Sequence, residues 1–99
     1  MITSKQRAYL RRLANGLEPV FQIGKGGLSE EILKQLSNVL DKRELVKVKI
    51  LETALLDARE VCNETAAALG AEPVQAIGSK FVLYRRAEKE KNRKVELPK

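Results

Sequence analysis

The chain has no histidine, no tryptophan and one cysteine, and its 99 residues include two phenylalanines and two tyrosines. Without histidine it lacks the usual general base near neutral pH and the commonest metal ligand. The lone cysteine, Cys62, excludes an intrachain disulfide, which suits a reducing compartment. Aromatic residues at 4% leave little material for a platform that stacks on single-stranded bases. No hydrophobic run is long enough to span a bilayer. The N-terminus opens on polar and basic residues with no apolar stretch behind them, so no signal segment is expected and the expected location is cytoplasmic.

Positive charge is what the chain has in excess. Lys and Arg total 19 against 13 Asp and Glu, a formal net charge of +6. A polyanion is the natural partner of such a chain. Hydrophobic residues at 43% and charged residues at 32% are ordinary for a folded domain, and 99 residues suffice for one core. Residues 1–86 read as that domain. Residues 87–99 are mostly charged and read as a mobile tail.

Periodicity divides the domain into seven elements. A helix is expected from Thr3 or Ser4 to Asn15, with Leu10, Leu13, Ala14 and Leu17 as its buried stripe and Gly16 as a left-handed cap. Val20–Ile23 reads as a strand. Ser29 should cap a second helix that carries Glu30 and Glu31 at its positive end and Lys42 and Arg43 at its negative end. In Leu45–Leu51 the apolar Val46, Val48 and Ile50 alternate with Lys47 and Lys49, the mark of a strand with one core face. Asp57 and Glu60 open a third helix that Gly70 ends. Pro73–Ile77 and Phe81–Arg86 form a hairpin around Gly78-Ser79. The order α-β-α-β-α-β-β predicts a compact α/β domain with a mixed four-stranded sheet: the interposed helices imply parallel strands, and the hairpin adds an antiparallel one.

Gly24-Lys25-Gly26-Gly27 lies between a strand and a helix. Glycines let a backbone approach a ligand closely, the helix start favours phosphate, and Lys25 adds a full charge. The segment is no Walker A loop, because no Ser or Thr follows Lys25, and Ser29 stands where a dinucleotide fingerprint needs its third glycine. It does match G-x-x-G, the spacing of the loop with which KH domains clamp an RNA backbone, although there it joins two helices. The same residues also suit an ordinary strand-to-helix turn.

Five blocks together resemble the CRM domain family (chloroplast RNA splicing and ribosome maturation), in particular its bacterial stand-alone, single-domain members of the YhbY type. They are Leu10-Arg11-Arg12-Leu13-Ala14, Ile23-Gly24-Lys25-Gly26-Gly27-Leu28, Glu44-Leu45-Val46-Lys47-Val48-Lys49, Val74-Gln75-Ala76-Ile77-Gly78 and Leu83-Tyr84-Arg85. The resemblance covers about Lys5 to Arg86. It implies a fold similar to the C-terminal domain of translation initiation factor three, and RNA binding through the glycine loop and basic surface. It also implies an association with precursors of the large ribosomal subunit.

The candidate RNA-binding residues are therefore Gly24, Lys25, Gly26 and Gly27, with Lys5, Arg7, Arg11 and Arg12 on the first helix and Lys47 and Lys49 on the second strand. The helix cations also suit a solvated face, and the strand lysines also suit protection of an open sheet face. No cofactor, metal or membrane partner is expected, and the protein should be a monomer. An enzyme is not expected: Glu30, Glu31, Asp57 and Glu60 are accounted for at helix starts, which leaves no acid pair for catalysis. The alternative function is a protein-docking module on the pre-ribosome with no direct RNA recognition.

Overall fold

The computed structural model describes residues 2–98. Thr3 starts α1 (Ser4–Ala14) with a reciprocal capping box: its hydroxyl accepts from the Gln6 amide while the Gln6 side chain accepts from the Thr3 amide. β1 (Phe21–Ile23) leads through the glycine loop to α2 (Glu30–Arg43), which Ser29 caps through the Ile32 amide. β2 (Leu45–Ile50) follows at once, and a short 3-10 turn at Glu52–Ala54 joins it to α3 (Ala58–Leu69). Asp57 caps α3 through the Glu60 amide, and Gly70, at φ 63°, ends it in the left-handed conformation that glycine adopts freely. β3 (Glu72–Ile77) and β4 (Lys80–Tyr84) form a hairpin whose two-residue loop has Gly78 at φ 60° in its first position.

The strands make one sheet in the order β1-β2-β4-β3. β1 and β2 are parallel, with Ile23 beside Ile50, while β4 runs antiparallel to both its neighbours. The last strand in the chain is thus inserted between β2 and β3. The expected mixed four-stranded sheet is formed, with β4 of the hairpin in its interior and β3 at an edge.

Both faces of the sheet are covered, to different extents. On the first face Ile23, Val46, Val48, Ile50, Phe81 and Leu83 meet Leu36 and Leu40 of α2 and Val61, Cys62 and Ala66 of α3. On the second face Leu45, Val74, Val82 and Tyr84 meet Leu10 and Ala14 of α1, with Val95 and Leu97 packed alongside. Along β4 the side chains alternate between the layers, so Phe81 and Tyr84 are both buried but on opposite sides.

α1 departs from its expected form in two ways. It ends at Asn15 with φ −59°, and Gly16 is not left-handed. The helix unwinds through bonds from Gly16 N to Leu13 O and Leu17 N to Ala14 O, so no reversal is needed at Gly16. Leu13 and Leu17 are 39% and 38% exposed, because α1 touches the sheet through the narrower pair Leu10 and Ala14.

The segment after β4 lies against the domain. Glu44, which links α2 to β2, has a fully buried side chain. Its Oε2 accepts from the Ala87 amide, and its Oε1 accepts from the amides of Lys94 and Val95. The Gln6 side chain donates to the Pro98 carbonyl at 2.9 Å.

Candidate nucleic-acid interface

The glycine loop is a tight turn. The Gly27 amide donates to the Gly24 carbonyl at 2.9 Å, which puts Lys25 and Gly26 at the tip, both exposed. Gly27 has φ +64°, which L side chains adopt only with strain, whereas Gly26 has an ordinary φ and a Cβ there would meet nothing within 4 Å. Leu51 and Leu56 back the loop: their Cδ1 atoms lie 3.7 Å from where side chains on Gly24 and Gly27 would begin. Lys25 has no hydrogen-bond or ion-pair partner among the described residues.

α2 begins two residues after the loop. The Ser29 hydroxyl and carbonyl take the amides of Ile32 and Leu33, which leaves those of Glu30 and Glu31 at the helix tip. The exposed carboxylates of Glu30 and Glu31 compete with an incoming phosphate for this positive end. Lys25 and the loop backbone, rather than the helix dipole, therefore dominate any attraction.

The candidates on α1 do not converge on the loop. α1 lies across the second face with its start at the end of the sheet remote from the loop: Ile2 N donates to the Glu72 carboxylate, and Arg7 Nε donates to the Pro73 carbonyl at 3.3 Å. Glu72 and Pro73 lie level with Tyr84 and Leu83, at the Leu45 end of β2, and at a rise of ~3.3 Å per residue that end is about 17 Å along the strand from the Ile50 end beside the loop. Arg7 is half-buried, while Lys5, Arg11 and Arg12 are exposed. At 100° per residue, Arg12 points directly away from the Leu10–Ala14 stripe and Arg11 lies to one side. Lys47 and Lys49 are half-buried on the second face, in the part α1 leaves open. The candidates are thus spread over the loop, the outer side of α1 and the open part of the second face.

Two residues of the resemblance blocks serve the fold. Arg85 donates through Nη1 to the Leu69 carbonyl, and through Nη2 to the Ser37 carbonyl, the Ser37 hydroxyl and Asp41 at 2.8 Å, tying β4 to the ends of α2 and α3. Tyr84 is buried, and both burial and the Glu44 carboxylate push its pKa up against the opposing pull of Arg86 and Arg93, so it offers no ring to a base. Cys62 is a core residue whose pKa burial pushes up to about 11, so it is unreactive as a thiolate.

Among the described residues no group of three His, Cys, Asp or Glu could hold a metal ion, and no helix is long and apolar enough to cross a membrane.

Comparison with known proteins places the chain in a family. The chain is 39% identical over 98 residues to YqeI of Bacillus subtilis, named as a probable RNA-binding protein, covering 99% of this chain and 100% of that one. It is 39% identical over 101 residues to a Haemophilus influenzae protein named as RNA-binding, covering 98% of this chain and 95% of the relative. The solution structure of SAV1595 from Staphylococcus aureus, described as a candidate RNA-binding protein, superposes with a TM-score of 0.76 at 40% identity, over 99% of this chain and 100% of that one. The family model of the CRS1/YhbY (CRM) domain matches residues 2–85, and the chain belongs to that family.

Proposed function

We propose that this domain binds RNA, namely ribosomal RNA or its large-subunit precursor, and assists assembly of that subunit in the cytoplasm. The observation that carries the reading is Lys25: an unpartnered cation at the tip of an exposed glycine turn, in a chain whose relatives are named as RNA-binding. Gly24, Gly26 and Gly27 bring the backbone close to a phosphate. Lys5, Arg7, Arg11, Arg12, Lys47 and Lys49 extend the contact along the second face. With few aromatics and a net charge of +6, affinity comes from phosphates, and sequence preference is modest.

The test is a titration of structured ribosomal RNA at several salt concentrations. The log of affinity should fall with log salt by roughly 0.7 to 0.9 per phosphate neutralised. Lys25→Ala should reduce that slope by about one contact and leave folding intact. In cells the protein should co-sediment with large-subunit precursors. The docking alternative has one observation in its favour, the exposed Leu55, which follows β2 and precedes the Leu56 that backs the loop. It predicts binding to assembled particles that is insensitive to salt and absent with naked RNA.

A further inference from the structure

The register of the sheet places a row of side chains that the sequence pattern does not reveal. Gln22 pairs with Lys49, Lys49 with Lys80, and Lys80 with Ile77, so one level of the second face reads Gln22–Lys49–Lys80–Ile77 across all the strands. Lys47 and Val82 form the next level toward α1. α1 buries Leu45, Val74, Val82 and Tyr84, leaving the upper row uncovered: Gln22 and Lys80 are exposed and Ile77 is 67% exposed.

The pairing of Lys49 with Lys80 is the unusual feature. The Ile50 amide donates to the Ser79 carbonyl at 2.7 Å, so that pair is hydrogen-bonded. The next pair along, Lys49 and Lys80, is then of the non-hydrogen-bonded kind, in which the Cα atoms approach to about 4.5 Å and the side chains are closest. Like charges directly opposite each other oppose folding. Neither lysine, nor Lys47, has an ion-pair partner among the described residues. Glu52 borders the same end of the sheet without forming an ion pair with either lysine.

We infer that Lys49 and Lys80, with Lys47 behind them, form a phosphate-binding seat on the open half of the sheet, in line with the glycine loop, and that RNA backbone occupies it. The inference rests on the reading of the domain as RNA-binding and adds Lys80 and the paired geometry to it. Charge complementarity selects the occupant, since the row presents two adjacent cations, and Glu52 at its border forms an ion pair with neither. Ile77 beside them supplies an apolar contact for a ribose or a base edge. The loop and the seat meet where β1 ends beside β2, so one strand of RNA can run from Lys25 across the sheet.

The experiment compares wild type, Lys80→Gln, Lys80→Arg and Lys25→Ala for binding a labelled RNA hairpin over a range of salt, with thermal melting of each protein without RNA. Lys80→Gln should lower the salt slope by about 0.7 to 0.9 and weaken binding about fivefold to eightfold at 0.1 M salt relative to 1 M, the factor one phosphate contact contributes. Its melting temperature should be unchanged or higher, because the opposed pair is relieved. Lys80→Arg should bind as wild type does. If Lys80→Gln binds with unchanged affinity and slope while Lys25→Ala is impaired, the seat is overturned and the loop reading stands. If wild type fails to bind RNA at all, the underlying reading fails. Equal competition by polyglutamate at matched charge would overturn RNA as the occupant.

Discussion

Replacing Glu44 tests how the chain after β4 is held. Its carboxylate is fully buried and accepts from the amides of Ala87, Lys94 and Val95. Its own amide donates to Leu40 O and its carbonyl accepts from Arg85 N, so one residue ends α2, enters β2 and grips the final segment. Each hydrogen bond to a charged group is worth roughly 1.5–3 kcal/mol, but deleting the carboxylate also removes its desolvation cost, and the freed amides regain water once the segment lifts. The net cost of Glu44→Ala should therefore be about 2–4 kcal/mol, a drop in melting temperature of at least about 8 °C for a domain of this size. The backbone separates a second contribution. Glu44 has φ 64° and ψ −47°, close to the rare and strained γ-turn geometry near φ +75°, ψ −65°. Glu44→Gly should thus be less damaging than Glu44→Ala by about 1 kcal/mol, although both lose the acceptor. Urea denaturation gives the free energies, and limited trypsin digestion at Arg86, Lys89, Lys91 and Arg93 reports whether the segment has lifted. If Glu44→Ala melts within ~0.5 kcal/mol of wild type and resists trypsin equally, the carboxylate is not what holds the segment.

The glycine loop offers a paired contrast. Gly26→Ala should leave stability unchanged within ~0.5 kcal/mol yet weaken RNA binding if phosphate approaches there, while Gly27→Ala should cost about 1 kcal/mol of folding because of its positive φ; thermal melts alongside RNA titrations check both. Leu55 is 92% exposed and left-handed at φ 54°, so Leu55→Asn should raise stability by up to about 1 kcal/mol in a urea titration. The Cys62 pKa is raised from 9.0 to about 11, so its contribution is complete below pH 9 and is lost as pH rises toward 11. The alkaline fall in stability should accordingly be shallower in Cys62→Ala than in wild type, and native Cys62 should react with a thiol reagent far more slowly than unfolded chain.

Much of this was legible in the sequence because the signals are local. Ser29, Asp57, Gly70 and Gly78 mark caps and turns by chemistry that acts within a few residues, and the alternation in Val46–Ile50 marks a core face by itself. Strand order was not legible, since no local pattern tells β4 to enter between β2 and β3. The seat at Lys49 and Lys80 follows from that order and was hidden with it. Glu44 looks like one more surface charge between a helix and a strand; its partners lie 43 to 51 residues away. The G-x-x-G spacing could not say which glycine carries the positive φ, because that depends on how the turn closes onto Gly24. Arg85 looks like another candidate cation until Asp41 and the helix-end carbonyls are seen around it.

The interior position of β4 also bears on synthesis. A chain that emerges N-terminus first can pair β1 with β2 early, but β2 then waits with an open edge until residues 80–84 arrive. The hairpin cannot dock alone either, because β3 reaches the rest of the sheet only through β4. Completion of the core therefore waits for residues 80–84, and the long sequence separation of the β2–β4 pairs slows it further. A nascent chain stalled before Lys80 would present the unpaired β2 edge to its neighbours, and translation that ends early should yield aggregates rather than a smaller folded domain.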